Sequence, residues 1–117
     1  MLGAARAMRD AVSVLAAEAP ERMSLPQLLF FLHAAEADLS GQPSTFTAIR
    51  EALGSEVGRS VNTTYKVLIE PTKSNPNALG WLMRQTDPSD ERMKYLLLTP
   101  KGRLVMGKVS EALNVPK

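Results

Sequence analysis

Residues 80–102 read GWLMRQTDPSDERMKYLLLTPKG. Two largely apolar runs, Gly80 to Thr86 and Met93 to Leu98, flank the polar segment Asp87-Pro88-Ser89-Asp90-Glu91, which is the pattern of two strands joined by a turn. Thr99-Pro100 then starts a helix, since threonine caps well and proline is tolerated at the first helical position. Leu104, Val105, Val109, Ala112 and Leu113 supply the apolar side of that helix. The end of the chain is therefore expected to be a charged-tipped hairpin running straight into a C-terminal helix, 99–117.

Upstream, residues 71–77 hold two prolines, two asparagines and a serine, a loop composition. Before this loop a fourth helix is expected at about 60–70, with Val61, Tyr65 and Leu68 on one stripe and Asn62, Thr63 and Lys66 largely on the other. A short turn from Ser55 to Arg59 separates it from a third helix. Pro43-Ser44-Thr45 opens that helix, Phe46, Ile49, Ala52 and Leu53 point inward, and Gly54 ends it. Ser24-Leu25-Pro26-Gln27 is a capping-box start. The run Leu28 to Leu32 that follows is apolar nearly all round, which marks a central buried helix ending near Ser40-Gly41.

The first segment, Leu2 to Ala19, is alanine-rich, and Leu2, Met8, Val12 and Leu15 recur at helical spacing, with Ala5 and Ala19 extending the series. Pro20 ends it, because the residue before a proline is driven out of the α region. Such a helix either closes its own core or pairs with the same helix of a second subunit.

These elements describe a fold that is mainly α with a β-hairpin (α+β): a winged helix-turn-helix with flanking N- and C-terminal helices. One domain is expected over 1–117, with an N-terminal helix at 1–19, a core at 24–98 and the last helix at 99–117.

Composition removes several functions. The chain has 117 residues, no cysteine and one histidine, His33. That leaves no disulfide framework, no cysteine zinc site and no thiol nucleophile. No metal site, cofactor or catalytic group is expected. His33 reads as a packed or surface residue of the central helix. The longest uncharged stretch, Met23 to Ala35, is 13 residues, too short to span a bilayer. No signal or transit peptide is read at the N-terminus, and the absence of cysteine fits a cytoplasmic setting. The net charge of +2 hides a division. Residues 1–58 carry four bases against seven acids, a balance of −3, whereas residues 59–117 carry ten bases against five acids, a balance of +5. A basic back half is the composition of a face made for a polyanion.

Three pieces of sequence carry a resemblance: Leu79-Gly80-Trp81-Leu82-Met83-Arg84, then Asp90-Glu91-Arg92, then Leu98-Thr99-Pro100-Lys101-Gly102-Arg103. In this order they resemble the wing signature of the MarR-type winged-helix transcription regulators, in which a Gly-apolar-apolar strand ending in Arg leads to an Asp-x-Arg wing and then to Leu-Thr-x-x-Gly at a helix start. The resemblance covers roughly residues 24–105. Two departures accompany it. The 26 residues from Gly54 to Gly80 exceed the usual spacing by about the 71–77 loop, and only one helix fits after Gly102 where the family commonly has two. The resemblance implies a wing arginine, here Arg92, that reaches the minor groove with help from Asp90. It also implies a homodimer and often a small-molecule effector, unidentified here.

The residues support the same expectation directly. A recognition helix presents its N-terminal residues to base edges in the major groove. Ser60, Asn62, Thr63 and Thr64 are short hydrogen-bonding groups suited to that, and asparagine reads adenine bidentately. Arg59 and Lys66 would hold phosphates. A narrow minor groove attracts an inserted guanidinium, and Arg84 and Lys94 would add backbone contacts. Trp81 and Tyr95 read as hairpin packing. The expected function is thus a sequence-specific regulator of transcription that binds double-stranded DNA, with the recognition helix at about 60–70 in the major groove and the wing 87–92 at the minor groove. Two alternatives stay open: a winged-helix module that binds protein, and a DNA-binding accessory factor of replication or of a mobile element.

Overall fold

The computed structural model describes residues 1–19, 23–62 and 64–114. In chain order it holds α1 (Leu2–Glu18), α2 (Leu25–Leu39), α3 (Phe46–Leu53), α4 (Ser55–Ser60), a 3₁₀ segment (Thr64–Leu68), β1 (Leu82–Asp87), β2 (Asp90–Leu98) and α5 (Pro100–Leu113). The fold is mainly α with one antiparallel hairpin, in a winged-helix-like layout. Among the described residues no helix is long and apolar enough to cross a membrane.

Local chemistry sets the helix starts. At α2 the Gln27 N–H donates to Ser24 Oγ at 3.1 Å and the Ser24 N–H donates to Gln27 Oε1 at 2.8 Å, so two end donors are satisfied reciprocally. Thr45 caps α3 by accepting from the Ala48 N–H at 3.2 Å. Thr99 caps α5 by accepting from the Gly102 N–H at 2.9 Å. At the end of α1, Ala19 has φ −115° and ψ 84°, outside the α region as a following proline requires.

One hydrophobic cluster draws on all the helices except α4, and on the 3₁₀ segment and the hairpin. Its largest wholly buried side chains include Trp81, Phe30, Phe31, Leu68, Leu82 and Leu96. The Phe31 and Trp81 rings lie 4.9 Å apart in tilted contact, so Trp81 is the packing residue expected. α1 and α5 pack side by side beside this core, and Lys108 of α5 bonds Glu18 of α1.

The hairpin register pairs Leu82 with Leu98, Arg84 with Leu96 and Thr86 with Lys94. Its two flanks are pinned. The Leu96 N–H donates to the Ser44 carbonyl at 2.9 Å beside a bridge between Thr45 and Tyr95, and Ile69 bridges Leu82 on the other side. The Leu98 N–H donates to Asp38 Oδ2 at 2.9 Å, joining α2 to the end of β2.

Several expectations change here. The fourth helix over 60–70 does not form as one piece: α4 occupies Ser55–Ser60, the span expected to be a turn, and a 3₁₀ segment follows. Val61, Asn62, Thr63 and Thr64 are all weak helix formers whose branched or hydrogen-bonding side chains compete with helix continuation. Val61 ends α4 with ψ 0°. The inward set was nonetheless right, since Val61 and Leu68 are fully buried and Tyr65 is half-buried. Gly58 lets α4 cross α3 closely; a Cβ there would stand 2.9 Å from the Arg50 carbonyl oxygen. On α1 the buried residues are Ala11 and Leu15, with Ala19 just beyond, while Leu2, Met8 and Val12 are exposed. Ala52 and Leu104, expected inward, are exposed as well.

Candidate functional site

The expected site residues fall on three structures: α4 with its following turn, the 3₁₀ segment, and the outer half of the hairpin. Arg59 is exposed on α4 and lines a shallow groove with Arg50, Glu51 and Gly58. Ser60 ends α4, its Oγ donating to the Val57 carbonyl at 2.8 Å. Asn62 is exposed, and its Oδ1 accepts from Arg50 Nη1 at 3.0 Å. That bond orients the amide and uses one of the two lone pairs of its oxygen, leaving the second and both N–H donors. Thr63 lies outside the described residues, and Thr64 opens the 3₁₀ segment. Ser60 therefore closes α4 and Asn62 lies in the turn beyond it, so the two do not belong to one continuous helix.

The second group is more compact. Lys66, Arg84 and Lys94 line a single groove between the 3₁₀ segment and the hairpin. Arg84 Nη2 donates to the Tyr65 hydroxyl at 3.1 Å, and its guanidinium carbon stands 5.9 Å from the centre of that ring. Tyr65 in turn packs on Phe46, ring centres 4.3 Å apart.

The wing has a definite construction. Only Pro88 and Ser89 form the turn, because β2 begins at Asp90, earlier than Met93. The carboxylate of Asp87 accepts from the Ser89 N–H and the Ser89 hydroxyl, both at 2.7 Å, and from the Tyr95 hydroxyl at 2.8 Å. The two Ser89 bonds first, then the Tyr95 bond, hold the Asp87 carboxyl down at about 2. The Tyr95 phenol is raised by the same bond and then by burial.

Register then slips. Thr86 pairs with Lys94 but Asp87 pairs with Asp90, so Glu91, Arg92 and Met93 have no counterpart on β1. A bulge of this kind re-aims side chains at the tip. Asp90 Oδ1 accepts from the Arg92 backbone N–H at 3.0 Å and from Arg92 Nε at 3.3 Å. The expected Asp90–Arg92 pair is thus brought together. The Arg92 side chain keeps 92% of its surface exposed, so the carboxylate orients a guanidinium that is otherwise in solvent.

Sequence reasoning overlooked Arg50, which holds Asn62 from α3, and the Asp87–Ser89–Tyr95 knot. A dipeptide such as Asp-Pro followed by Ser is a local signal for the knot; the Arg50 contact across 12 positions has none.

Comparison of the chain with protein-family models, with curated proteins and with solved structures gives no match.

Proposed function

We propose that the chain is a sequence-specific regulator of transcription that binds double-stranded DNA as a homodimer in the cytoplasm, in the manner of the MarR-type regulators its wing resembles. The observation that carries this reading is the wing: a bulge sets Arg92 at the tip and Asp90 orients it while leaving it solvent-exposed. An oriented, unburied guanidinium on a narrow hairpin is suited to a minor groove, whose negative potential attracts it. Lys66, Arg84 and Lys94 add backbone contacts beside it. The element offered to the major groove is α4 and the turn after it, with Arg59, Ser60 and Asn62, in place of a continuous helix over 60–70.

Dimerisation is supported by the face that α1 leaves uncovered. Leu2, Met8 and Val12 are 65%, 61% and 46% exposed, and Leu25 of α2 is 80% exposed nearby, across a groove lined by Val12, Ala16 and Leu28. A second copy covering this stripe would set two DNA-facing elements on one two-fold axis, about 34 Å apart for successive half-sites. The cysteine-free composition is what supports the cytoplasmic assignment.

The direct test is a mobility shift on genomic fragments at several salt concentrations. A site bound at least about 10³-fold more tightly than bulk DNA is expected. Binding that never exceeds the bulk level overturns the regulator reading.

A further inference from the structure

The groove between the 3₁₀ segment, the 71–77 loop and the outer hairpin has a volume of about 470 Å³, within the range of sites for small organic molecules. Among the described residues its cations come from three elements, Lys66 from the 3₁₀ segment, Arg84 from β1 and Lys94 from β2, and Glu70 is the one carboxylate that lines it. Among the described residues none of these four forms an ion pair. Arg84 pairs with Leu96 and Lys94 with Thr86, so Arg84 and Lys94 are diagonal neighbours on one face of the hairpin. Side chains of that length reach a common ligand from such positions. The bond to Tyr65 commits one of the five N–H donors of the Arg84 guanidinium.

The opposite wall is built from the loop that lengthens this chain. Asn75 Nδ2 donates to the Lys66 carbonyl at 3.1 Å, tying the loop to the 3₁₀ segment. Within the loop the Asn75 N–H donates to Thr72 Oγ1 at 3.1 Å, and the Thr72 and Ser74 hydroxyls lie 3.2 Å apart. Phe46, Tyr65, Ile69 and Leu96 supply apolar lining. Three cations that form no ion pair among the described residues thus surround a concavity that has hydroxyls on one side and two aromatic rings on another. A phosphomonoester carries close to two negative charges at neutral pH and three acceptor oxygens, which matches this cation set.

We propose that this groove binds a small organic phosphate of mononucleotide size, its phosphate among Lys66, Arg84 and Lys94 and its ring against Phe46 and Tyr65. The inference stands on the groove alone and does not require DNA binding. Because the same three cations serve as DNA backbone contacts in the reading above, the two ligands exclude one another.

The test is calorimetric titration of the full chain with adenosine monophosphate, with adenosine, with inorganic phosphate and with a duplex of arbitrary sequence. Saturable binding of the monophosphate in the range of about 0.1–1 mM is expected, with adenosine at least about tenfold weaker. Lys94→Met and Arg84→Gln should each weaken the monophosphate by about fivefold to tenfold, as loss of a charge-assisted contact does. Glu70→Gln should tighten it about twofold by removing a like charge, an effect that misfolding cannot mimic. Equal affinity for adenosine, no saturation by about 10 mM, or indifference to Lys94→Met overturns the proposal. If the duplex binds and the monophosphate neither binds nor displaces it, the cations serve the polymer alone and the proposal is refuted. If the monophosphate binds and no DNA does, the groove site stands and the regulator reading falls.

Discussion

The start of α5 rests on the chain just before β1 at a distance that only glycine permits. A Cβ on Gly102 would lie 2.1 Å from the Trp81 carbonyl oxygen, 3.0 Å from its carbon and 3.1 Å from Leu98 Cδ2. Since ordinary contact begins near 3.4 Å, Gly102→Ala forces the helix start to retreat by more than about 1 Å. The retreat cannot be local. The same Trp81 oxygen accepts the Thr99 N–H at 3.1 Å, and Thr99 Oγ1 donates to the Gly80 carbonyl at 2.6 Å. Overpacking costs about 1–3 kcal/mol. Each buried hydrogen bond that lengthens adds about 1 kcal/mol, and the better helix propensity of alanine offsets about 1 kcal/mol. The expected net loss is about 2–4 kcal/mol, or roughly 10 °C or more in melting temperature for a chain of this size. Gly107 is the matched control. It lies on the same helix, and a Cβ there meets nothing within 4 Å. Gly107→Ala should therefore stabilise by about 0.5–1 kcal/mol. Thermal and urea unfolding followed by far-UV circular dichroism reads both variants. Equal shifts in the two, or a Gly102→Ala variant as stable as the parent, would refute the close approach.

Other expectations concern the wing, the caps and the uncovered face. The folded Asp87 carboxyl lies below its unfolded value of 3.8, so its contribution is present above that pH and is lost as pH falls through about 2. An NMR titration of Asp87 should show a midpoint near 2, and a midpoint near 4 would dissolve the Ser89–Tyr95 knot. Ser24→Ala should cost about 1 kcal/mol in urea unfolding by removing half of the capping box; no loss would mean that the box contributes nothing. Met8→Glu and Val12→Glu should convert a dimer to a monomer in sedimentation while leaving the helical spectrum unchanged. Variants that stay dimeric would place the interface elsewhere. Arg92→Ala should weaken DNA binding broadly and lower the salt slope by about 1. An unchanged slope would remove the wing from the interface.

What was legible in the sequence is what local chemistry controls. The Ser24–Gln27 box, the Thr99 cap, the helix start after Pro43-Ser44-Thr45 and the existence of the hairpin follow from residues within a few positions of each other, and the structure has these, with β2 beginning at Asp90 in place of Met93. The break between α4 and the 3₁₀ segment was missed because periodicity counts apolar spacing, and Val61, Tyr65 and Leu68 satisfy that spacing whether the helix is continuous or not. Propensity, which is low across Val61, Asn62, Thr63 and Thr64, was the better guide there. The buried face of α1 was legible only in part: Leu15 and Ala19 pack as expected, but Ala11 packs in place of Met8 and Val12, because a count of large apolar residues overlooks alanine. The Asp38 bond to Leu98 spans 60 positions, and no local signal announces it.

Under the proposed DNA-binding function, the hairpin separates the residues that set stability from those that set affinity. In an antiparallel pair, directly opposed residues share a face, so Leu82, Leu96 and Leu98 share one with Arg84, Thr86 and Lys94. Its inner end is core, with Leu82 and Leu96 all but inaccessible to solvent. Its outer end carries the cations. The inner end is fixed by Trp81 against Phe31, by Thr99 on Gly80 and by Asp38 on the Leu98 N–H, and beyond Leu96 the strands leave the core. Substitutions at the inner end should therefore move melting temperature and, by tilting the hairpin, affinity with it. Arg92→Ala removes a side chain that packs on nothing and should lower affinity at constant melting temperature. Gly102→Ala should change both. If Arg92→Ala lost stability in proportion to binding, the wing tip would have to pack on the core, contrary to an Arg92 side chain left 92% in solvent.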